Sequence, residues 1–352
     1  MKKHTFLSFL VFLITWTNLM AQSPETYAEK LGWPKGAKVI IFHVDDAGMS
    51  YSSNQGAIKS IESGIATSCS IMMPCPWAAS FTKYAVKNPK MDAGLHLTLT
   101  SEWQAYRWPP LGGIKHSPGL VDDEGCMWHE VEDVVKNASA DIVEQEIRAQ
   151  LERALKMGLK PSHMDSHMGT LFAHPPFLER YIKVGVEYGI PVMFPGGNNR
   201  LLIECLNNPL VKKLKAEGKW KEGMQLPQPA IIKESKSVGE KIWNAELPVL
   251  DDLHTISGDW KPAGDNVSAA QWGKYKAEKF RETITKMQPG VAMMIVHSSD
   301  ITDAFKHISS SGGSRYADML SMLDPDLKAF IKSEGVILTT WTEMLARRKQ
   351  VK

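Results

Sequence analysis

The stretch Val39–Ser50, VIIFHVDDAGMS, decides the fold. Val39 to Val44 is a run of β-branched and aromatic residues, the signature of a buried strand. It ends in two adjacent acids, Asp45 and Asp46. Carboxylates at the end of a buried strand are costly unless paired, hydrogen-bonded or metal-bound. In helix-covered parallel sheets, ligands sit outside the carboxyl ends of the strands. A plainer reading makes Asp45 a turn residue and Asp46 the cap of the next helix. What lies downstream decides between the two.

Outward from this stretch, strands and helices alternate. Asn54–Ser63 reads as a helix with Ile58 and Ile61 inward, and Thr67–Met73 as a strand. Trp77–Val86 reads as a helix with Trp77, Phe81 and Tyr84 on one side, and Ala93–Leu97 as a strand. A Pro/Gly-rich loop follows at Tyr106–Gly125. Ala140–Met157 carries Val143, Ile147, Leu151, Ala154 and Leu155 on one helical stripe. Ser162–Asp165 reads as a strand, Phe177–Tyr188 as a helix opened by Pro175 and Pro176, and Val192–Phe194 as a strand. Pro195–Gly264 breaks the rhythm and reads as a long insertion over one face. The alternation resumes with a helix at Ala270–Met287 and a strand at Val291–His297. Tyr316–Ser333 is helical, Val336–Thr339 a strand and Trp341–Arg347 a helix. So many strand–helix repeats favour an α/β fold with a parallel sheet closed as a TIM-like (β/α) barrel.

Residues 1–21 stand apart from this pattern. Lys2 and Lys3, the apolar run Phe6–Trp16 and Leu19-Met20-Ala21 have the form of a secretory signal peptide. The run is too short for a membrane span, and no later stretch is long and apolar enough for one. The expectation is therefore a single domain over 22–352, exported to the periplasm or beyond, without stable membrane insertion. The chain has 41 basic and 39 acidic residues, and removing Lys2 and Lys3 leaves 39 against 39. That balance offers no electrostatic case for nucleic acid. Cys69, Cys75, Cys126 and Cys205 form no CxxC pair and no structural zinc motif. In an exported protein they could form disulfides, with pairing open.

Chemistry collects at four strand ends. Gly94-Leu95-His96-Leu97-Thr98 places His96 within an apolar strand. In Pro161–His167, PSHMDSH, an extended backbone would put His163, Asp165 and His167 on one face. Two His and an Asp on one face form a metal-site pattern. Ala292–Asp300 again runs from a buried strand into polar residues, beginning with His297. Carboxylate and neutral imidazole suit zinc and other first-row divalent ions, and carboxylate also suits magnesium.

The DDxG stretch, the GLHL strand, the PxHxDxH stretch and the late strand with His occur in the order of the YdjC-like carbohydrate deacetylases, also called the ChbG/HpnK family. The chain resembles that family over roughly residues 37–195 and 289–345, including Arg315 and Leu323-Asp324-Pro325. The resemblance implies a distorted (β/α) barrel, one divalent metal ion (Mg2+ or Zn2+), and hydrolysis of an N-acetyl group on an amino sugar or oligosaccharide. It implies Asp46, His96 and His167 as metal ligands, Asp45 as general base and His297 as general acid. His163 and Asp165 then orient ligands. Ala47 stands where the family has a larger apolar residue, and Met168-Gly169-Thr170 where it often has another His. Trp103, Tyr106 and Trp108 could stack on sugar rings or cover the barrel rim, and Arg315 is a further candidate for substrate binding. Two alternatives remain at this point: a phosphodiesterase-type metal hydrolase on the same fold, and a non-catalytic carbohydrate-binding protein. The motif stretches contain no Arg or Lys, which counts against phosphoryl transfer.

Overall fold

The computed structural model describes residues 25–264 and 266–351. The signal-peptide expectation falls on residues 1–21, outside those described. The central strand is β1 (Lys38–Ala47), whose residues after Lys38 are all buried. The other strands are β2 (Ser68–Ile71), β3 (Ala93–Leu97), β4 (Met164–Ser166), β5 (Asp252–His254), β6 (Gly290–Val296) and β7 (Ile337–Leu338). They form one sheet in the order β4-β3-β2-β1-β6-β5, with β7 beside β1. Every strand pairing is parallel. A sheet buried on both faces explains why β1 and β6 read as unbroken apolar runs.

The sheet curves towards closure. Val192 bridges Met164 of β4, and Pro195 bridges Leu250 just before β5. The Met193 N–H donates to the Met164 carbonyl at 2.8 Å, and the Leu250 N–H to that of Phe194 at 3.1 Å. Strands of ten, seven and three residues share this ring, which makes the barrel distorted. Segment 195–264, read from sequence as a layer over one face, therefore divides. Its Asp252–His254 is barrel strand β5, too short and too polar to announce itself beside Asp251.

Twelve helices stand among the described residues. The first six are α1 (Tyr27–Lys30), α2 (Tyr51–Glu62), α3 (Ala78–Lys87), α4 (Val131–Asn137), α5 (Ala140–Lys156) and α6 (Pro175–Tyr188). Then come α7 (Arg200–Ala216), α8 (Ala230–Asn244), α9 (Ala269–Lys286), α10 (Gly312–Met322), α11 (Pro325–Ser333) and α12 (Trp341–Arg348). Ser50, not Asp46, caps α2: its hydroxyl accepts the Ser53 N–H at 3.0 Å. That frees Asp46 for other work. The expected stripe of α5 is buried at Val143, Ile147, Leu151 and Ala154, whereas Leu155 is exposed, one residue further round the helix. The helix expected over Tyr316–Ser333 is two, broken where Asp324 caps α11 ahead of Pro325. All four cysteines are free thiols. No helix among the described residues is long and apolar enough to cross a membrane.

Candidate metal and hydrolytic site

The carboxyl ends of β1, β3 and β4 meet at three ligand atoms. His96 Nε2 lies 3.3 Å from Asp46 Oδ1, and His167 Nδ1 lies 3.5 Å from the same oxygen. The two nitrogens are 3.2 Å apart. Two atoms bonded at roughly 2.0–2.2 Å to a shared ion at near-tetrahedral angles sit about 3.3–3.6 Å apart. Asp46 Oδ1 is also buried with no hydrogen-bond partner, a cost unless a cation meets it. The donor set and its spacing thus fit one divalent ion.

The backbone aims these groups by departing from regular geometry. Asp45 and Asp46 would point to opposite faces of a regular strand. Asp46 has φ 64°, and the register of β1 against β2 slips between Val44 and Ala47. The irregularity therefore falls on the ligand itself, and Gly48, at φ +87°, completes the turn. Met168, immediately after His167, is likewise left-handed at φ 51°. Strained non-glycine residues of this kind cluster at functional sites.

Each ligand is held from behind. His96 Nδ1 lies 2.6 Å from Asp165 Oδ1, leaving Nε2 for the ion. His167 Nε2 lies 3.0 Å from Glu102 Oε2, leaving Nδ1. Arg315 Nη1 donates to Asp46 Oδ2 at 2.5 Å. Carboxylates that grip the far side of a ligating His fix its tautomer and raise its basicity. Burial pushes the His96 imidazole down, but Asp45 and Asp165 outweigh it and hold it well above its ordinary value. His167 is likewise opposed by burial, yet Glu102 and Asp46 bring it to about 9. Burial would raise Asp46, but the Arg315 guanidinium holds it well below the usual carboxylate range.

Asp45 stands beside the triangle. Its Oδ1 lies 3.2 Å from His43 Nε2, which also lies 3.0 Å from Asp165 Oδ2. His43 lies inside the apolar run of β1, where sequence alone marks no role for it. Its Nε2 hydrogen-bonds Ser70 Oγ at 3.0 Å and lies close to both Asp45 and Asp165; burial would lower its pKa, but the two acids outweigh it and raise it to about 9. His297 Nε2 lies 3.9 Å from Asp45 Oδ2. Burial lowers the His297 pKa. Its backbone N–H donates to Asp318 Oδ2 at 3.0 Å, and Lys276 Nζ holds Asp318 Oδ1 at 2.6 Å. This fully buried ion pair ties α9 and α10 to the end of β6.

The remaining candidates fall at two distances from the reaction. His163 is buried, stacks on Trp341 with ring centroids 5.2 Å apart, and reaches Asp165 Oδ2 only at 3.6 Å. Its packing explains Gly94, where a Cβ would meet the His163 ring at 2.4 Å. Trp108 is 1 % exposed and donates its indole N–H to the Thr100 carbonyl, so its ring is rim packing and not an open sugar platform. Trp103 and Tyr106 are half-buried against it. Arg315, a candidate for substrate, is bonded to Asp46. Tyr51 and Trp77 form a different, exposed aromatic pair, 5.2 Å between centroids, just past the ends of β1 and β2. Sequence reading passed over this pair. Trp77 looked inward as part of a helical stripe, but it precedes α3 and is 41 % exposed.

Beside Asp45 and His297 opens a cavity of about 480 Å3 with a largely apolar wall.

The sequence profile of the family described as YdjC-like protein matches residues 39–333. The chain belongs to the YdjC-like family. Among its relatives, a carbohydrate deacetylase of Thermus thermophilus is 35 % identical over 167 residues, 47 % of this chain and 57 % of that protein. This chain thus spans little more than half of that relative's length. A carbohydrate deacetylase of Thermoanaerobacter pseudethanolicus is 22 % identical over 306 residues, covering 87 % of this chain and 98 % of that protein. The crystal structure of a putative cellobiose-phosphate cleavage protein of Enterococcus faecalis superposes with a TM-score of 0.64 at 18 % identity, over 87 % of this chain and 98 % of that one. That likeness confirms the barrel. The YdjC-like profile runs through 195–264, so α7, α8 and β5 lie within the family's span.

Proposed function

We propose that this chain is a metal-dependent hydrolase that removes the N-acetyl group from an amino sugar or oligosaccharide. The observation that carries the reading is the division of labour at the end of β1. Asp46 completes the triangle with His96 and His167, and its neighbour Asp45 stands beside it, its Oδ2 3.9 Å from both His96 Nε2 and His297 Nε2. The curated relatives named carbohydrate deacetylase support the same reaction class.

Asp46, His96 and His167 would hold the ion, with two imidazoles favouring a first-row metal over magnesium. Such an ion polarises the amide carbonyl and lowers the pKa of water. Asp45, beside His43, accepts the proton of the attacking water. His297 delivers a proton to the departing amine. Tyr51 and Trp77 offer exposed rings to a sugar face. Phosphoryl transfer is less well served, because Arg315, brought to the site from α10, is committed to Asp46. A decayed binding protein would have little use for a ligand set, base and acid held this closely.

Purified protein loaded in turn with zinc, cobalt, nickel and magnesium, and offered a panel of N-acetylated sugars, should release acetate with at least one metal. Acetate from none of them, with metal demonstrably bound, would refute the reading. The signal-like residues 1–21 further support export, and mass spectrometry of periplasmic and secreted fractions should find a mature start near Gln22. A cytoplasmic protein retaining Met1 would rule export out.

A further inference from the structure

The groups assigned above leave one feature of the barrel mouth unused. The cavity of about 480 Å3 has Asp45 and His297 at its edge. Its wall is built by Met168 and Phe172 after β4, Phe194 of the closing segment, Leu202 and Leu206 of α7, and Ile231 in the first turn of α8. Met168 and Leu206 are each 44 % exposed, and both line this cavity. Exposed apolar side chains gathered at one concavity mark a binding surface.

A methyl group would leave this volume almost empty, since it is the size of sites that enclose drug-sized ligands. A sugar would be poorly served there. Apart from Asp45 and His297, Ser166 and Thr255 are the polar side chains on its wall, and sugar hydroxyls buried without partners are costly. Exposed stacking groups for a sugar lie elsewhere, just past the ends of β1 and β2, at Tyr51 and Trp77. The scissile amide must lie against the adjacent Asp45 and His297, because the base serves the water that attacks its carbon and the acid serves its nitrogen. With the sugar at those rings, the acyl group points at the apolar wall.

We infer that this cavity is an acyl pocket, and that besides the N-acetyl group the enzyme removes N-acyl chains several carbons longer from amino sugars. The inference rests on the amide-hydrolase reading. The chemistry is unchanged: the C–N bond breaks, the water oxygen forms the new C–O bond, and the amine leaves with the proton from His297. The products are a medium-chain carboxylate and the free amino sugar.

The test uses metal-loaded protein and a matched series of N-acetyl-, N-butyryl-, N-hexanoyl- and N-octanoyl-glucosamine, with released amine as the readout. kcat/KM should climb by up to about fourfold per added methylene until the cavity fills. Leu202→Trp should cut the octanoyl-to-acetyl ratio at least tenfold. Ile231→Trp, at the half-buried rim, replaces it should the first variant not fold. Calorimetry on metal-free protein should show N-octanoyl-glucosamine binding more tightly than N-acetylglucosamine. A series that is flat or falls from acetyl overturns the acyl pocket and leaves deacetylation standing. A gain seen only with N-acetylglucosamine octyl glycoside, not with the N-acyl series, assigns the cavity to an aglycone and also overturns it. Tight octanoyl binding without hydrolysis of any amide supports the pocket and refutes the hydrolase. Neither binding nor hydrolysis refutes both.

Discussion

At the ends of β1, β3 and β4, polar side chains are held by charge. At the opposite wall, formed by the 192–195 segment, β5 and α7, they give way to apolar side chains that face a void. On the first side, Asp165, Glu102 and Arg315 each fix a group that would touch the ion, and His43 stands beside Asp45. On the second, Leu206 and Met168 keep nearly half their surface open. The first arrangement suits chemistry that must not vary. Ligand atoms placed a few tenths of an ångström wrongly lose the ion. The second suits recognition, where apolar contact is graded and tolerant of shape. The difference teaches where a change should act: on the charged side it should alter metal or turnover, and on the apolar side substrate preference.

The largest effect expected of any single change lies on the charged side. Asp46→Asn replaces an anionic ligand by a weak neutral one, and His167→Ala removes a ligand, so metal content and activity should be lost together. Asp45→Asn should behave differently. It leaves the ligand triangle intact and removes the proton acceptor, so metal should stay while turnover falls on the order of 10²–10⁴-fold. Metal content by elemental analysis and acetate release are measured on each purified variant. Metal lost from Asp45→Asn and retained by Asp46→Asn would exchange the two roles.

How much of this was readable in the sequence follows the same divide. Asp46 stood at the end of an apolar run and His167 in the polar PSHMDSH stretch, but the set Asp46, His96 and His167 came from the family resemblance, and the structure brings the three together. The parallel alternation was visible because β1, β3 and β6 are long enough to show apolar runs between amphipathic helices. His43 was not readable as functional, since a lone His inside VIIFHV has the pattern of a satisfied core residue. Glu102 lies in a loop with no periodicity to mark it, and it meets His167 across 65 positions. Arg315 and Asp46 are separated by 269 positions. Such partners are set by closure of the barrel, not by local spacing. β5 hid for a different reason. Three residues carry no detectable alternation, and the apolar wall beside it exists only once α7 and α8 fold over the closing segment.

The finest test of the charged side is the carboxylate that touches no ion. Asp165 is held well below its ordinary pKa: burial opposes this, and the His96 charge, with the His163 and His43 imidazoles close by, outweighs it. Asp165→Asn should weaken metal binding by roughly 10–100-fold at neutral pH, as loss of a carboxylate behind a ligating His does. The pH dependence separates loss of this grip from general damage. Without metal, His96 and His167 have raised pKa values, near 9 for His167, so bound protons compete with the ion. Apparent affinity should therefore rise with pH and level off once both imidazoles are neutral. Asp165 is one of the charges that raise His96, so in Asp165→Asn that proton leaves at lower pH and competes less. The deficit of the variant should be largest near pH 9 and shrink towards pH 6. Competition titrations with a chelator across that range measure it. A deficit that stays constant with pH would mean that Asp165 shapes the pocket without tuning His96, and the charged side would then owe its function to geometry alone.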